Sequence, residues 1–139
     1  MKKLDNFINC LTILSNADFK MAETNDIYRT GVIGQFNLTF ELAWEALQEI
    51  MRKHGVEDSS TGSPREILQL GYKFGFINNS ETWLLMLKKH NTSVHIYNEE
   101  EVDELILLIR DSFIPVFTAL KDTLVKKLDE AESNWEKNL

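Results

Sequence analysis

The sequence predicts an all-α protein, an antiparallel bundle of four to five helices. Three observations carry that expectation. Apolar residues recur at steps of three and four along most of the chain, and no segment alternates with a period of two. Only two prolines and six glycines interrupt the 139 residues. Polar-x-x-Glu signatures at Ser63, Asn78 and Asn98 each stand ahead of an apolar stripe, where helix N-termini are expected.

In chain order, Leu4, Phe7, Ile8, Leu11 and Leu14 mark one face of a first amphipathic helix, with Cys10 near its edge. Asp18 to Asp26 is more polar. A longer helix then carries Ile33, Phe36, Phe40, Ala43, Trp44, Leu47, Ile50 and Met51, and stops at Gly55. Gly31 and Gly34 either weaken its start or let another chain approach closely. Ser63-Pro64-Arg65-Glu66 opens a short helix ending at Gly75. A further start at Asn78 or Ser80 leads into Trp83, Leu84, Met86 and Leu87 and runs to about His90. Asn98-x-x-Glu101 opens the last helix, a stripe from Val102 to Leu128 that Pro115 should kink. Residues 129–139 are polar apart from Trp135 and are expected to fray.

Composition sets the function classes aside from one another. The length fits one domain, residues 1–139, able to bury its own core without metal or crosslink. Cys10 is the sole cysteine, so the chain forms no internal disulfide and no thiolate zinc site, as suits a reducing cytoplasm. No apolar run reaches the roughly 18 residues a membrane span needs, and no signal peptide is expected. A net charge of −7 argues against DNA or broad nucleic-acid binding. The charge is uneven: residues 1–49 carry −3, residues 50–95 carry +2 and residues 96–139 carry −6. The positive third either favours an anionic ligand or is an uneven scatter of surface charge.

That third ends in the polar patch of His90, Asn91, Ser93, His95 and Tyr97, beside Lys88 and Lys89. There is no glycine-rich phosphate loop, no Glu-x-x-His pair, no His-Glu-x-x-His and no metal-ligand spacing, so neither metal nor cofactor is expected. His54, at a helix end, reads as a solvated cap. On a continuous helix His90 and His95 would face roughly 140° apart. For both to meet one ligand, either the helix breaks, which Asn91-Thr92-Ser93 favours, or two subunits combine. Glu41 lies on the margin of the apolar stripe and reads as solvated, and Glu99-Glu100-Glu101 suits a helix N-terminus.

Four stretches in order then match a known pattern: Gln35-Phe36 through Phe40-Glu41-Leu42-Ala43-Trp44, Ser63-Pro64-Arg65-Glu66, Trp83-Leu84 through Met86-Leu87, and His95-x-Tyr97-Asn98-Glu99. Over about residues 25–125 the chain resembles the bacterial nucleotidyltransferase substrate-binding family, within the wider HEPN group. The resemblance implies a helical homodimer paired with a separately encoded minimal nucleotidyltransferase, often as a toxin–antitoxin module. In such pairs the helical member is a metal-independent RNase with an Arg-x4-His-x-Tyr motif, and its partner silences it by transferring AMP to the tyrosine.

Carried over, His95 is the catalytic histidine, Tyr97 the modified tyrosine, and Asn91 the polar residue after the motif arginine. The arginine itself is replaced by His90. A guanidinium is permanently charged and forked, so imidazole is no equivalent. Either the RNase activity is weakened or lost, leaving a binding subunit, or His90 and His95 act as a paired acid and base. Ser93 remains a polar contact for a nucleotide or RNA. Lys88, Lys89 and Arg65 are candidate replacement cations for such a ligand.

Overall fold

The structure is a computed structural model. It describes residues 1–95 and 98–137, with side chains as far as Asn134. Helices α1 (Lys2–Ser15), α2 (Phe19–Thr24), α3 (Asp26–Lys53), α4 (Pro64–Lys73) and α5 (Ser80–Thr92) lead to a 3-10 turn over Ser93–His95. Helix α6 (Glu99–Leu108), a π turn over Ile109–Phe113 and helix α7 (Ile114–Lys137) complete the chain. No strand occurs among the described residues. The all-α expectation holds, with more pieces than the sequence pattern alone showed.

Helix α3 is the axis. It packs against α1, α2, α4, α5, α6 and α7. Its length follows from its ends. Asn25 Oδ1 accepts the Tyr28 amide at 2.8 Å, so the helix begins at Asp26 and runs straight through Gly31 and Gly34. At the other end Gly55 takes φ 69°, and the Val56 and Gly55 amides return to the carbonyls of Met51 and Arg52. That is the paired closure a left-handed glycine permits. The segment Asp18–Asp26 is not merely polar. Asp18 caps the six-residue α2, and the Tyr28 hydroxyl accepts the Asp18 amide at 2.6 Å.

The Ser63 signature forms in full, with Ser63 Oγ accepting the Glu66 amide and Glu66 Oε1 accepting the Ser63 amide. The next start is corrected by one position. Asn79, rather than Asn78 or Ser80, caps α5 through Oδ1 and the Thr82 amide at 3.1 Å. Asn98 Oδ1 accepts the Glu100 amide at 2.7 Å and the Glu101 amide at 3.4 Å, so that cap rests on the asparagine. Near Pro115 the helix widens rather than simply bending. Proline cannot donate to the carbonyl four residues back and crowds it. The π turn over Ile109–Phe113 absorbs that misfit while keeping Ile109 and Phe113 buried. Helix α7 runs to Lys137, helped by helix-forming Glu, Lys and Ala and by the Lys127–Glu130 pair at 3.7 Å, and the last two residues of the stretch expected to fray lie outside the described residues.

The core is aromatic at its centre. Phe36 stacks on Phe113 at 5.3 Å, Trp83 meets Phe117 edge-on at 5.6 Å, and Phe7 meets Phe117 at 6.1 Å. These rings come from α1, α3, α5, the π turn and α7, so one cluster ties the ends of the chain to its middle. His54 belongs to this packing rather than to solvent. Its Nε2 lies 2.6 Å from the Lys127 carbonyl and its ring stands edge-on to Phe76.

Candidate functional site

The end of α5 meets the middle of α3 through a continuous polar chain. Ser93 Oγ donates to the His90 carbonyl at 3.1 Å and accepts Asn37 Nδ2 at 2.9 Å. This turns Asn37 Oδ1 toward His90 Nδ1, 3.0 Å away. On the other side of the ring, His90 Nε2 sits 2.6 Å from Glu41 Oε1. Glu41 Oε2 in turn accepts the Trp44 indole N–H at 3.0 Å. Both ring nitrogens are therefore engaged, one by an amide oxygen and the other by a carboxylate. The ring also lies over Phe40, with centroids 5.0 Å apart.

The local cause is helical spacing. Asn37, Glu41 and Trp44 lie four and three residues apart, so they share one edge of α3. His90 reaches that edge because Trp83, Met86 and Leu87 bury the adjoining face of α5. Helix α5 continues to Thr92, and the tighter 3-10 turn then separates the two histidines. His90 is held inside the cluster, whereas His95 is exposed at the end of the turn. No described contact joins them.

The other sequence-derived candidates scatter. Lys88 and Asn91 are exposed, and Lys89 pairs with Glu104 at 3.7 Å, linking α5 to α6. Arg65 is exposed on the first turn of α4 and has no described contact with this cluster. Ser93 is the member of that set drawn into the network. Tyr97 lies outside the described residues.

Sequence reasoning missed Asn37 altogether and left Glu41 in solvent. It also missed Arg29, which is 8% exposed and pairs with Asp103 across the α3–α6 contact. Its Nε has no hydrogen-bond partner among the described residues. A buried unpaired donor of this kind costs about 1–3 kcal/mol. Only the i, i+4, i+7 polar edge of α3 was a usable clue to the cluster, and nothing local marked Arg29.

Arg29 borders a cavity of about 360 Å³ beside the 3-10 turn. Asp26, Arg29, Thr30 and Ile33 of α3 form one wall, Ser93 one end, and Asn98, Glu99 and Val102 the other wall. A second, more apolar cavity of about 490 Å³ lies between the end of α1 and the start of α3, lined by Ile13, Ile27 and Gly31 among others. Among the described residues no group of three or more His, Cys, Asp or Glu side chains could hold a metal ion, and no helix is long and apolar enough to cross a membrane.

A bundle built on one long central helix, with a polar cluster and cavity where two shorter helices meet it, defines the class. The particular family follows from comparison with known proteins. The model of the family described as nucleotidyltransferase substrate binding protein like matches residues 2–126, and the chain belongs to that family. The match reaches further toward the N-terminus than the motifs did, taking in α1. Comparison with curated proteins finds no match. Among solved structures, the chain resembles a Haemophilus influenzae protein described as revealing the fold of a substrate-binding domain of a nucleotidyltransferase. The TM-score is 0.64 at 20% identity, over 88% of this chain and 94% of that one.

Proposed function

We propose that this chain is the substrate-binding subunit of a two-component nucleotidyltransferase, acting as a homodimer beside a separately encoded catalytic partner. Family membership supports the partnership. The engagement of His90 is the observation that carries the binding role over catalysis. With Nε2 on Glu41 and Nδ1 on Asn37, the residue that stands in the arginine position is committed to holding α5 against α3. It has no free ring nitrogen with which to protonate a leaving group. RNase activity in this chain is therefore weakened or lost, and the module is toxin–antitoxin-like in arrangement with Tyr97 as the residue the partner nucleotidylates.

A second reading is favoured by one observation, the exposure of His95. In it His95 remains a general base for metal-independent RNA cleavage, and nucleotidylation of Tyr97 silences the enzyme. Co-expression with the adjacent reading frame, followed by intact mass, tests the first reading. The expected result is co-purification and a mass gain by nucleotidyl units that Tyr97→Phe abolishes. Failure to co-purify sinks the partnership. RNA cleavage in EDTA that His95→Ala removes would establish the second reading instead.

A further inference from the structure

We propose that the outer ridge of α3 is an isologous interface, on which a second copy of this chain lays its own α3 antiparallel. The inference rests on the homodimer named in the reading above and specifies its face and register. Ile27, Gly31, Gly34 and Leu38 recur at steps of four, three and four, so they share one edge of α3. All four are exposed, and the two apolar side chains strongly so, Ile27 at 87% and Leu38 at 49%. Nothing within the chain requires the glycines, since a Cβ added at either meets nothing within 4 Å. Glycine in a helix interior weakens it relative to alanine. Here the pair leaves bare backbone on the surface, with room for a second helix to come close.

The pattern identifies the occupant as a second copy. Its spacing reads the same in both directions about the midpoint between Val32 and Ile33. A two-fold axis at that level sets Ile27 of one copy opposite Leu38 of the other, and Gly31 opposite Gly34. An isologous contact demands this self-complementarity, in which residue i meets j and j meets i. Shape agrees. The apolar cavity of about 490 Å³ follows one flank of the ridge, lined by Ile27, Gly31 and Gln35 of α3 and by Ile13 of α1, itself 60% exposed. Leu38 stands roughly 16 Å along the helix from Ile27. The two-fold carries the Leu38 of each copy onto the groove beside the Ile27 of the other, so two equal knobs fill two equal grooves. Charge agrees as well. The chain carries −7, and two copies repel wherever their acidic surfaces meet. Residues 27–38 hold a single charge, Arg29, which is buried away from the ridge against Asp103. A strongly acidic or basic partner would find no countercharge here, whereas a second copy needs none.

The test is sedimentation equilibrium of the full chain. The wild type is expected to be a dimer at micromolar concentration. Ile27→Lys and Leu38→Glu, each at an exposed position, are expected to sediment as monomers with unchanged helical circular dichroism. Mixing these two variants should restore a dimer, because the new ammonium of one then faces the new carboxylate of the other. Gly31→Ala combined with Gly34→Ala should raise thermal stability, read in the Leu38→Glu monomer, yet weaken association of the otherwise unaltered chain at least about tenfold. Glycines without a role in association would leave the dimer as tight as before. A wild-type monomer throughout the soluble concentration range, single variants that stay dimeric, or a mixture that stays monomeric would each overturn the assignment. The product of the adjacent reading frame is then co-expressed with the wild type and with Ile27→Lys. Wild-type dimers that fail to co-purify with it refute only the partnership. A monomeric wild type whose co-purification Ile27→Lys abolishes assigns the ridge to that product instead and overturns the proposal.

Discussion

Glu41 Oε1 lies 2.6 Å from His90 Nε2, and this contact joins the central helix α3 to the end of α5. The same carboxylate accepts the Trp44 indole, so one side chain organises the edge of α3 and the position of the motif turn. Replacing Glu41 by Ala should lower stability by about 1–2 kcal/mol, less than for a buried pair because the carboxylate is partly solvated. Glu41→Gln should recover part of that loss by retaining an acceptor. Urea unfolding followed by tryptophan fluorescence measures both. Equal stability of wild type and Glu41→Ala would show that the contact contributes nothing.

Placing at position 90 the arginine that the proposed RNase motif calls for provides a sharper test of activity. His90→Arg replaces a ring held on both sides by a longer, permanently charged fork. Metal-independent RNA cleavage is expected to be weak or absent in the natural chain and to rise by at least about tenfold in His90→Arg, equivalent to about 1.4 kcal/mol of barrier. His90→Arg combined with His95→Ala should remove the gain. An unchanged rate in His90→Arg would disconnect position 90 from catalysis.

The aromatic centre should dominate stability. Phe117 touches Phe7, Phe36 and Trp83 and is fully buried. Phe117→Ala should cost about 3–5 kcal/mol, enough to consume much of the stability of a domain this size. Thermal denaturation by circular dichroism reads the loss. A drop of less than about 1 kcal/mol would mean the neighbouring rings close the space.

Local capping gives a smaller and separable effect. Ser63→Ala removes the acceptor for the Glu66 amide and should cost about 1 kcal/mol. Amide exchange should quicken first in α4, since the cap serves that helix alone. Uniformly faster exchange across the chain would contradict a local role.

How far the sequence was legible depended on the range of the interaction. Helix type, the Ser63 cap and the Gly55 stop are written in contacts a few residues apart, and they formed as read. The start of α3 at the end of the polar stretch Asp18–Asp26 also formed as read, and Asn25 and the packing on α1 and α2 carry the helix through Gly31 and Gly34. The Pro115 kink became a π turn because burial of Ile109 and Phe113 constrains the register more strongly than the straight helix does.

By itself the sequence determined the all-α class and the stripes that form the core. Each depends on periodicity and on residue type. Tertiary structure alone decided that His90 pairs with Glu41 and Asn37, that His54 packs on Phe76, and that Arg29 borders a cavity with Ser93 and Asn98. Those relationships join residues many turns apart. Their partners are set by how helices pack, and packing depends on the whole core rather than on any local run of residues.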